Sequence, residues 1–362
     1  MPISGQEGNE MGEVIERYSV DRATLSRLLH DEPQYRVDQV WQSLYSDCGP
    51  TESWSTLPKK LRNRLDDELP SSLSEIHASI ADDGLTTKFL YEIAGGARIE
   101  SVLMLYPDRA TVCISSQAGC AMGCTFCATG QQGFTRHLRT AELVEQVARA
   151  KYAASRMGRR LSNVVVMGMG EPLANEDALW PAMAAVHDEF KLSARHLTVS
   201  TVGLVPGIRR LADRPLPVTL AVSLHAAHDE LRNTLIPMNR RYPLDELLDA
   251  CAQYVSKRKR RMSFEWAMID GVNDSLDEAH RLAELCRRLR PIAHVNLIPL
   301  NRTAGYEYQG STRAQIEKFQ RVLTDRGIEA TVRRNRGNDI DAACGQLAAI
   351  TPVSISSDRS LR

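Results

Sequence analysis

Cys120-Ala121-Met122-Gly123-Cys124-Thr125-Phe126-Cys127 sets three thiols within eight residues, spaced Cys-x3-Cys-x2-Cys. Three thiolates on one short loop can hold three irons of a [4Fe-4S] cube; full cysteine ligation would take a fourth. Gly119 and Gly123 let such a loop wrap closely, and Phe126 is placed to shield its contents from water. A structural zinc site asks instead for four ligands, usually in paired Cys-x2-Cys units, and no second pair is present. Cys48, Cys251 and Cys286 stand alone in helical patterns, where a thiol serves as a small core residue. Eight cysteines in 362 residues do not make the disulfide framework of a short secreted domain.

The cysteine loop follows an apolar run at 110–116, the first of a series of candidate strands. Others occupy 163–167, 196–200, 217–223, 262–269 and 293–299, each followed by a helical stretch. The clearest helix spans 140–157 with Thr140 as its N-cap, and Pro243 opens another where the first turn tolerates proline. A last short strand is expected at 328–333. This alternation implies an α/β fold with a parallel sheet and helices outside. Six strand–helix units are too few for a closed eightfold barrel, so an open, partial (β/α)6 barrel is expected over 96–350, ending in a cysteine-bearing segment. Residues 1–20 and 351–362 read as tails. Residues 21–95 read as a small helical accessory domain, with Leu25, Leu28 and Leu29, then Val37, Val40, Trp41 and Leu44, at helical spacing.

In folds of this kind, chemistry gathers just past the C-terminal ends of the strands. The cysteine loop lies there, and so does Gly168-Met169-Gly170-Glu171-Pro172 after the apolar run Val164-Val165-Val166. An iron left open by three cysteines can chelate a ligand through an amino and a carboxylate group, and S-adenosylmethionine carries both. Reduction of the cube then breaks the sulfonium C–S bond and yields a 5′-deoxyadenosyl radical, chemistry that belongs to the cofactor. The Gly170-Glu171 turn is placed to receive the amino group, and Ser200, Ser223, Leu224, His225 and Asn301 to contact the carboxylate, ribose or adenine. Capping of strand ends is the alternative reading of the polar members of this set.

Cys113-Ile-Ser-Ser-Gln-Ala-Gly-Cys120-Ala-Met-Gly-Cys124-Thr-Phe-Cys127 resembles the RlmN/Cfr group of radical S-adenosylmethionine RNA adenine methyltransferases. So do Gly168-Met-Gly-Glu-Pro172, Ser223-Leu-His225 and Gly337-Asn-Asp-Ile-Asp-Ala-Ala-Cys344-Gly-Gln-Leu347, and the resemblance runs from about residue 21 to 350. It implies the partial radical S-adenosylmethionine barrel with an N-terminal helical domain. It implies that Cys344 is methylated by one adenosylmethionine and that a radical from a second removes a hydrogen from that methyl. The methylene radical then adds to an adenine ring, whose C2 is no nucleophile and could not attack a sulfonium methyl itself. Cys113 matches the thiol that closes a transient disulfide onto Cys344 and frees the methylated base, and Glu100 aligns with the acceptor of the ring proton. An inert buried thiol remains the alternative for either cysteine, and a solvated strand face for Glu100. Arg336-Gly337 looks like the C2-methylating branch rather than the C8-methylating one, with Asn338 in place of a common aspartate.

The resemblance gives as partners 23S rRNA near the peptidyl-transferase centre, tRNA at the adenine beside the anticodon, and an electron donor such as flavodoxin or ferredoxin. The formal charge is +0, so any RNA contact must be local. Lys257-Arg258-Lys259-Arg260-Arg261 is one basic run, and Arg333, Arg334 and Arg336 lie near Cys344. No apolar run approaches the ~20 residues that cross a membrane. The N-terminus lacks the basic-then-apolar order of a secretory signal, and a cytoplasmic location is expected. A non-catalytic iron–sulfur RNA-binding protein is the rival from another class; it would need neither Cys344 nor Cys113.

Overall fold

In the computed structural model, which describes residues 15–301, 308–333, 336–337 and 340–349, twelve strands follow one another. They are β1 (Leu73–Ala81), β2 (Thr86–Ile93), β3 (Arg98–Leu105), β4 (Ala110–Cys113), β5 (Gln117–Gly119), β6 (Phe134–His137), β7 (Leu161–Val166), β8 (Leu197–Thr201), β9 (Thr219–Ser223), β10 (Ser263–Met268), β11 (His294–Pro299) and β12 (Ala330–Val332). Ten of them form one open sheet in the order β1-β2-β3-β4-β7-β8-β9-β10-β11-β12. From β4 to β12 every pairing is parallel. The helices are α1 (Arg22–Leu28), α2 (Tyr35–Gln42), α3 (Lys59–Glu68), α4 (Ala128–Gln131), α5 (Thr140–Arg156), α6 (Glu176–Asp188), α7 (Val205–Asp213), α8 (Asp229–Leu235), α9 (Leu244–Arg258), α10 (Leu276–Arg287) and α11 (Arg313–Asp325). One or more helices separate each pair of successive parallel strands, which gives the six expected strand–helix units.

The parallel strands bury the face that meets the helices, while residues of the other face such as Ser200 and Glu265 line the barrel interior. In β10, Phe264, Trp266 and Met268 are fully buried, and Trp266 packs against Phe319 of α11 at 5.7 Å. Thr140 is the first residue of α5 rather than its cap: Arg139 takes the cap position, and the Glu142 carboxylate accepts from its N–H at 2.8 Å. Pro243 stands immediately before α9.

The helical reading of the region before the barrel needs one correction. It fits α1, α2 and α3, but β1 and β2 form an antiparallel hairpin that joins β3 and, through it, β4. Asp82 and Asp83 turn the hairpin with φ of 53° and 54°, followed by Gly84 at 87°. β1 is largely exposed, although Ile76, Ala78 and Ile80 alternate with Glu75, His77 and Ser79 in the pattern of a strand. The clues lay in Asp82-Asp83-Gly84 and in the β-branched and aromatic residues of Thr86-Thr87-Lys88-Phe89-Leu90-Tyr91. Cys251 and Cys286 are fully buried, as small core residues should be, and Cys48 is buried at the end of a helical turn.

Candidate active site

β5 and β6 form a separate two-stranded ribbon that frames the cysteine loop. Gly119 adopts φ +73°, and a Cβ there would run into the carbonyl of Gly133, which accepts instead from the Cys120 N–H at 2.8 Å. Beyond Cys127 the chain enters α4, and Gln131 returns its side-chain amide to the Cys124 carbonyl at 3.0 Å. All three thiols line one cavity. Burial pushes Cys120 up to about 12 and Cys124 and Cys127 upward as well, so these thiols stay protonated until metal takes their protons. Among the described residues no three His, Cys, Asp or Glu side chains are grouped to hold a single metal ion. Three cysteines from one short loop, lining one cavity, suit a multi-iron group, so the residues present fit a [4Fe-4S] cluster.

The opposite wall comes from the turn after β7. Gly168 has no room for a Cβ, which would meet Ser115 Oγ at 2.7 Å and the Ile114 carbonyl at 2.8 Å. Gly170 has φ +102° and lies against Gln117. The Glu171 carboxylate turns inward and accepts from the N–H groups of Leu173 at 3.1 Å and Val202 at 2.8 Å. Burial raises it to about 7 against the lowering effect of those bonds. Its side chain therefore fixes the turn, and the turn presents backbone to the cavity.

Ser200, Ser223 and His225 also line this cavity. His225 sits at φ 57°, where its Nδ1 accepts from the Ala267 N–H at 2.8 Å. Burial, with the Arg232 charge adding to it, lowers its pKa to about 3. The ring is therefore neutral and offers Nε2–H. Phe126 packs edge-on against it at 4.8 Å. Two further residues of the expected set lie beside this lining, next to Ser223, His225 and Leu300. The Leu224 side chain is fully buried in the main core, and Asn301 lies outside the lining with its Nδ2 3.5 Å from Gln346 Oε1.

Cys344 and Cys113 come together. Both line a second cavity with Tyr106, Arg333 and Arg336, and Cys344 also lines the first. Arg333 Nη1 is 3.4 Å from Cys344 Sγ, and burial pushes the Cys113 thiol up to about 12. Arg336 donates to the Leu105 carbonyl at 2.8 Å and lies over the Tyr106 ring at 4.5 Å. Glu100 is buried, not solvated: it pairs with Lys88 at 2.9 Å and accepts from the N–H groups of Ala348 and Ala349 at 2.9 and 3.2 Å. The basic run at 257–261 does not join the site. It precedes β10 and so lies at the N-terminal end of the barrel, with Lys257 paired to Asp213 and Arg261 to Glu329. Arg334, Asn338 and Asp339 lie outside the described residues.

Two residues escaped the sequence reading. Arg232 is fully buried in α8 and donates to the carbonyls of Leu224, Val202 and Ser223 at 3.0, 2.6 and 3.2 Å. It ties the ends of β8 and β9 together beneath the cavity, and burial lowers it to about 10. Glu265 on β10 lines the cavity and accepts from Ser263 and Asn296 at 2.8 Å each. Neither belongs to a recognisable motif, and their partners mix near neighbours such as Ser263 with Val202 and Asn296 on other segments.

Comparison with known proteins agrees with this geometry. Residues 114–285 match the model of the Radical SAM superfamily. A protein from Frankia alni, named a probable dual-specificity RNA methyltransferase RlmN, is 52% identical over 331 residues, covering 88% of this chain and 78% of its own. The dual-specificity RNA methyltransferase RlmN 1 of Myxococcus xanthus is 47% identical over 350 residues, covering 95% and 96%. The crystal structure of a radical SAM methyltransferase from Sphaerobacter thermophilus superimposes with a TM-score of 0.87 at 47% identity, covering 93% of this chain and 100% of that one. With three cysteines on a strand-end loop, a glycine turn facing them and identity of this extent, the chain belongs to the RlmN family of radical SAM RNA methyltransferases and uses a [4Fe-4S] cluster and S-adenosylmethionine.

Proposed function

We propose that the protein methylates C2 of an adenine in 23S rRNA near the peptidyl-transferase centre, and of the adenine beside the anticodon in tRNA. The observation that carries this reading is Cys344, which lines both the cluster cavity and the neighbouring cavity that holds Cys113. A side chain on a shared wall can take up a methyl from one side and hand it to a base on the other. When bound, the cluster and adenosylmethionine supply an electron and a hydrogen-abstracting radical.

Cys120, Cys124 and Cys127 would hold the cluster, and the backbone of the turn stiffened by Glu171 would receive the methionine amino group. Ser200, Ser223 and His225 offer hydroxyls and an N–H to the rest of that ligand. Cys344 carries the methyl as a thioether, and its methylene carbon forms the bond to C2. Cys113 then attacks the Cys344 sulfur: an S–S bond forms, the C–S bond to the methylene breaks with its electron pair going to that carbon, and a proton taken up there from solvent completes the methyl of the departing base. Arg333, beside Cys344, keeps its cation where thiolates form and are consumed. The resemblance gives the departing ring proton to Glu100, a carboxylate that must first release Lys88 or the amides it accepts from. Tyr106 and Arg336 line the cavity on the side where RNA would enter, and the base would have to be flipped from its stack to reach Cys344. A flavodoxin or ferredoxin is the proposed electron donor and the cytoplasm the proposed location. Among the described residues no helix is long and apolar enough to cross a membrane.

The test is anaerobic reconstitution with adenosylmethionine, a reductant and 23S rRNA lacking the modification, followed by mass spectrometry of the nucleosides. The expected product is 2-methyladenosine, lost in Cys344→Ala. 8-Methyladenosine would move the protein to the C8-methylating branch. 5′-Deoxyadenosine without a methylated base would mean another substrate.

A further inference from the structure

The segment 340–349, which carries Cys344, contains no long helix or strand, yet it is fastened at many points. On one side it is tied to α4, directly after the cluster loop: Ala128 N–H donates to the Gly345 carbonyl at 2.7 Å, Thr129 Oγ1 to Leu347 at 2.6 Å, and Gln132 Nε2 to Ala348 at 2.7 Å. On the other side it meets the antiparallel hairpin. Gly337 N–H donates to Asp82 Oδ2 at 2.9 Å, and Lys88 Nζ is 3.4 Å from the Asp341 carbonyl. Between these fastenings stands Glu100. One carboxylate oxygen faces Lys88 at 2.9 Å and the other takes both the Ala348 and Ala349 N–H groups.

A carboxylate on two successive amides, itself balanced by a buried ammonium, is a charge-assisted clamp. Both charges are nearly removed from water, so loss of either partner leaves the other uncompensated. We infer that Glu100, held by Lys88, is a positioning residue: the pair latches the 341–349 strap onto β2 and β3 and so sets Cys344 at the wall between the two cavities. The hairpin, which sits outside the parallel barrel, thereby has a task in the reaction. The consequence for chemistry rests on the reading of Cys344 as the methyl carrier; the latch itself does not.

The test compares wild type with Glu100→Gln, Lys88→Met and the double variant Lys88→Met/Glu100→Gln. Hydrogen exchange is followed at the 341–349 amides, with those of β7 as an internal reference, and intact mass reports the methyl on Cys344 after incubation with adenosylmethionine. Each single variant is expected to speed exchange at Ala348 and Ala349 by about tenfold to a hundredfold, the loss of one bond to a charged group. Each is also expected to lower methyl uptake by Cys344. The double variant is expected to recover both, because a glutamine carbonyl still accepts from the two amides and no buried ammonium is left alone. Unchanged exchange in both single variants would overturn the latch. So would a Glu100→Gln protein with wild-type exchange and Cys344 methylation but no RNA product, which would make Glu100 a proton acceptor only. If wild type takes up no methyl, the reading of Cys344 fails, and the exchange data still decide the latch.

Discussion

His225 shows how a single side chain is committed by its surroundings. Its backbone is left-handed, its Nδ1 is taken by the Ala267 N–H, and its carbonyl accepts from Asn273 Nδ2 at 2.8 Å. The ring cannot take a proton without losing a bond in a buried setting. The unfolded chain protonates this group near 6.5 and the folded one only near 3. Between those values unfolding takes up a proton, so stability falls as pH drops, by about 1.4 kcal/mol per pH unit. Urea unfolding of wild type and His225→Gln at pH 6.5 and 5.0 is expected to show the shallower dependence in the variant; parallel slopes would contradict it. At this scale the sequence was most readable where spacing carries chemistry. Cys120, Cys124 and Cys127 are neighbours in the chain and lie together on one cavity. Lys88, Arg232 and Glu265 belong to no such spacing, and a lone charged residue in a helix or strand gives no sign that its partner is buried with it.

At the scale of elements, the parallel strands and their helices were legible because each apolar run is continuous and bounded by turns. The hairpin of β1 and β2 was signalled by the alternation of Ile76, Ala78 and Ile80 with polar residues, but the helical leucine spacing of the preceding segment outweighed it. The turn after β7 was legible as a motif, but the inward direction of the Glu171 carboxylate was not, since that depends on β8 bringing Val202 alongside. Gly170 is the backbone pivot of that turn. A Cβ there would lie 2.5 Å from Gln117 Cβ and 2.8 Å from its N atom, at a φ of +102°. Gly170→Ala is expected to cost about 2–5 kcal/mol, the sum of backbone strain and overpacking. Thermal unfolding reads that loss, and calorimetric titration with adenosylmethionine should show weakened binding. An unaltered melting temperature together with unaltered affinity would mean that the turn tolerates a side chain and does not shape the ligand site.

At the scale of the whole molecule, the barrel separates its two kinds of positive charge. The run at 257–261 is at the N-terminal end of β10 and is partly used up by Asp213 and Glu329. Arg333 and Arg336 stand at the C-terminal end, next to the two thiols. With no net charge over the whole sequence, any RNA contact must be local, and we propose these arginines and the Tyr106 ring for it. The two cavities meet at Cys344, where, on the proposed function, a methyl group crosses into RNA and Cys113 releases it. The most direct measurement uses Cys113→Ala. The variant, reconstituted with its cluster, is incubated with adenosylmethionine, a reductant and unmodified 23S rRNA, then digested with nuclease and protease and examined by mass spectrometry. A single nucleotide joined through one carbon to the peptide that contains Cys344 is the expected result. Normal release of methylated adenosine with no such adduct would contradict the account.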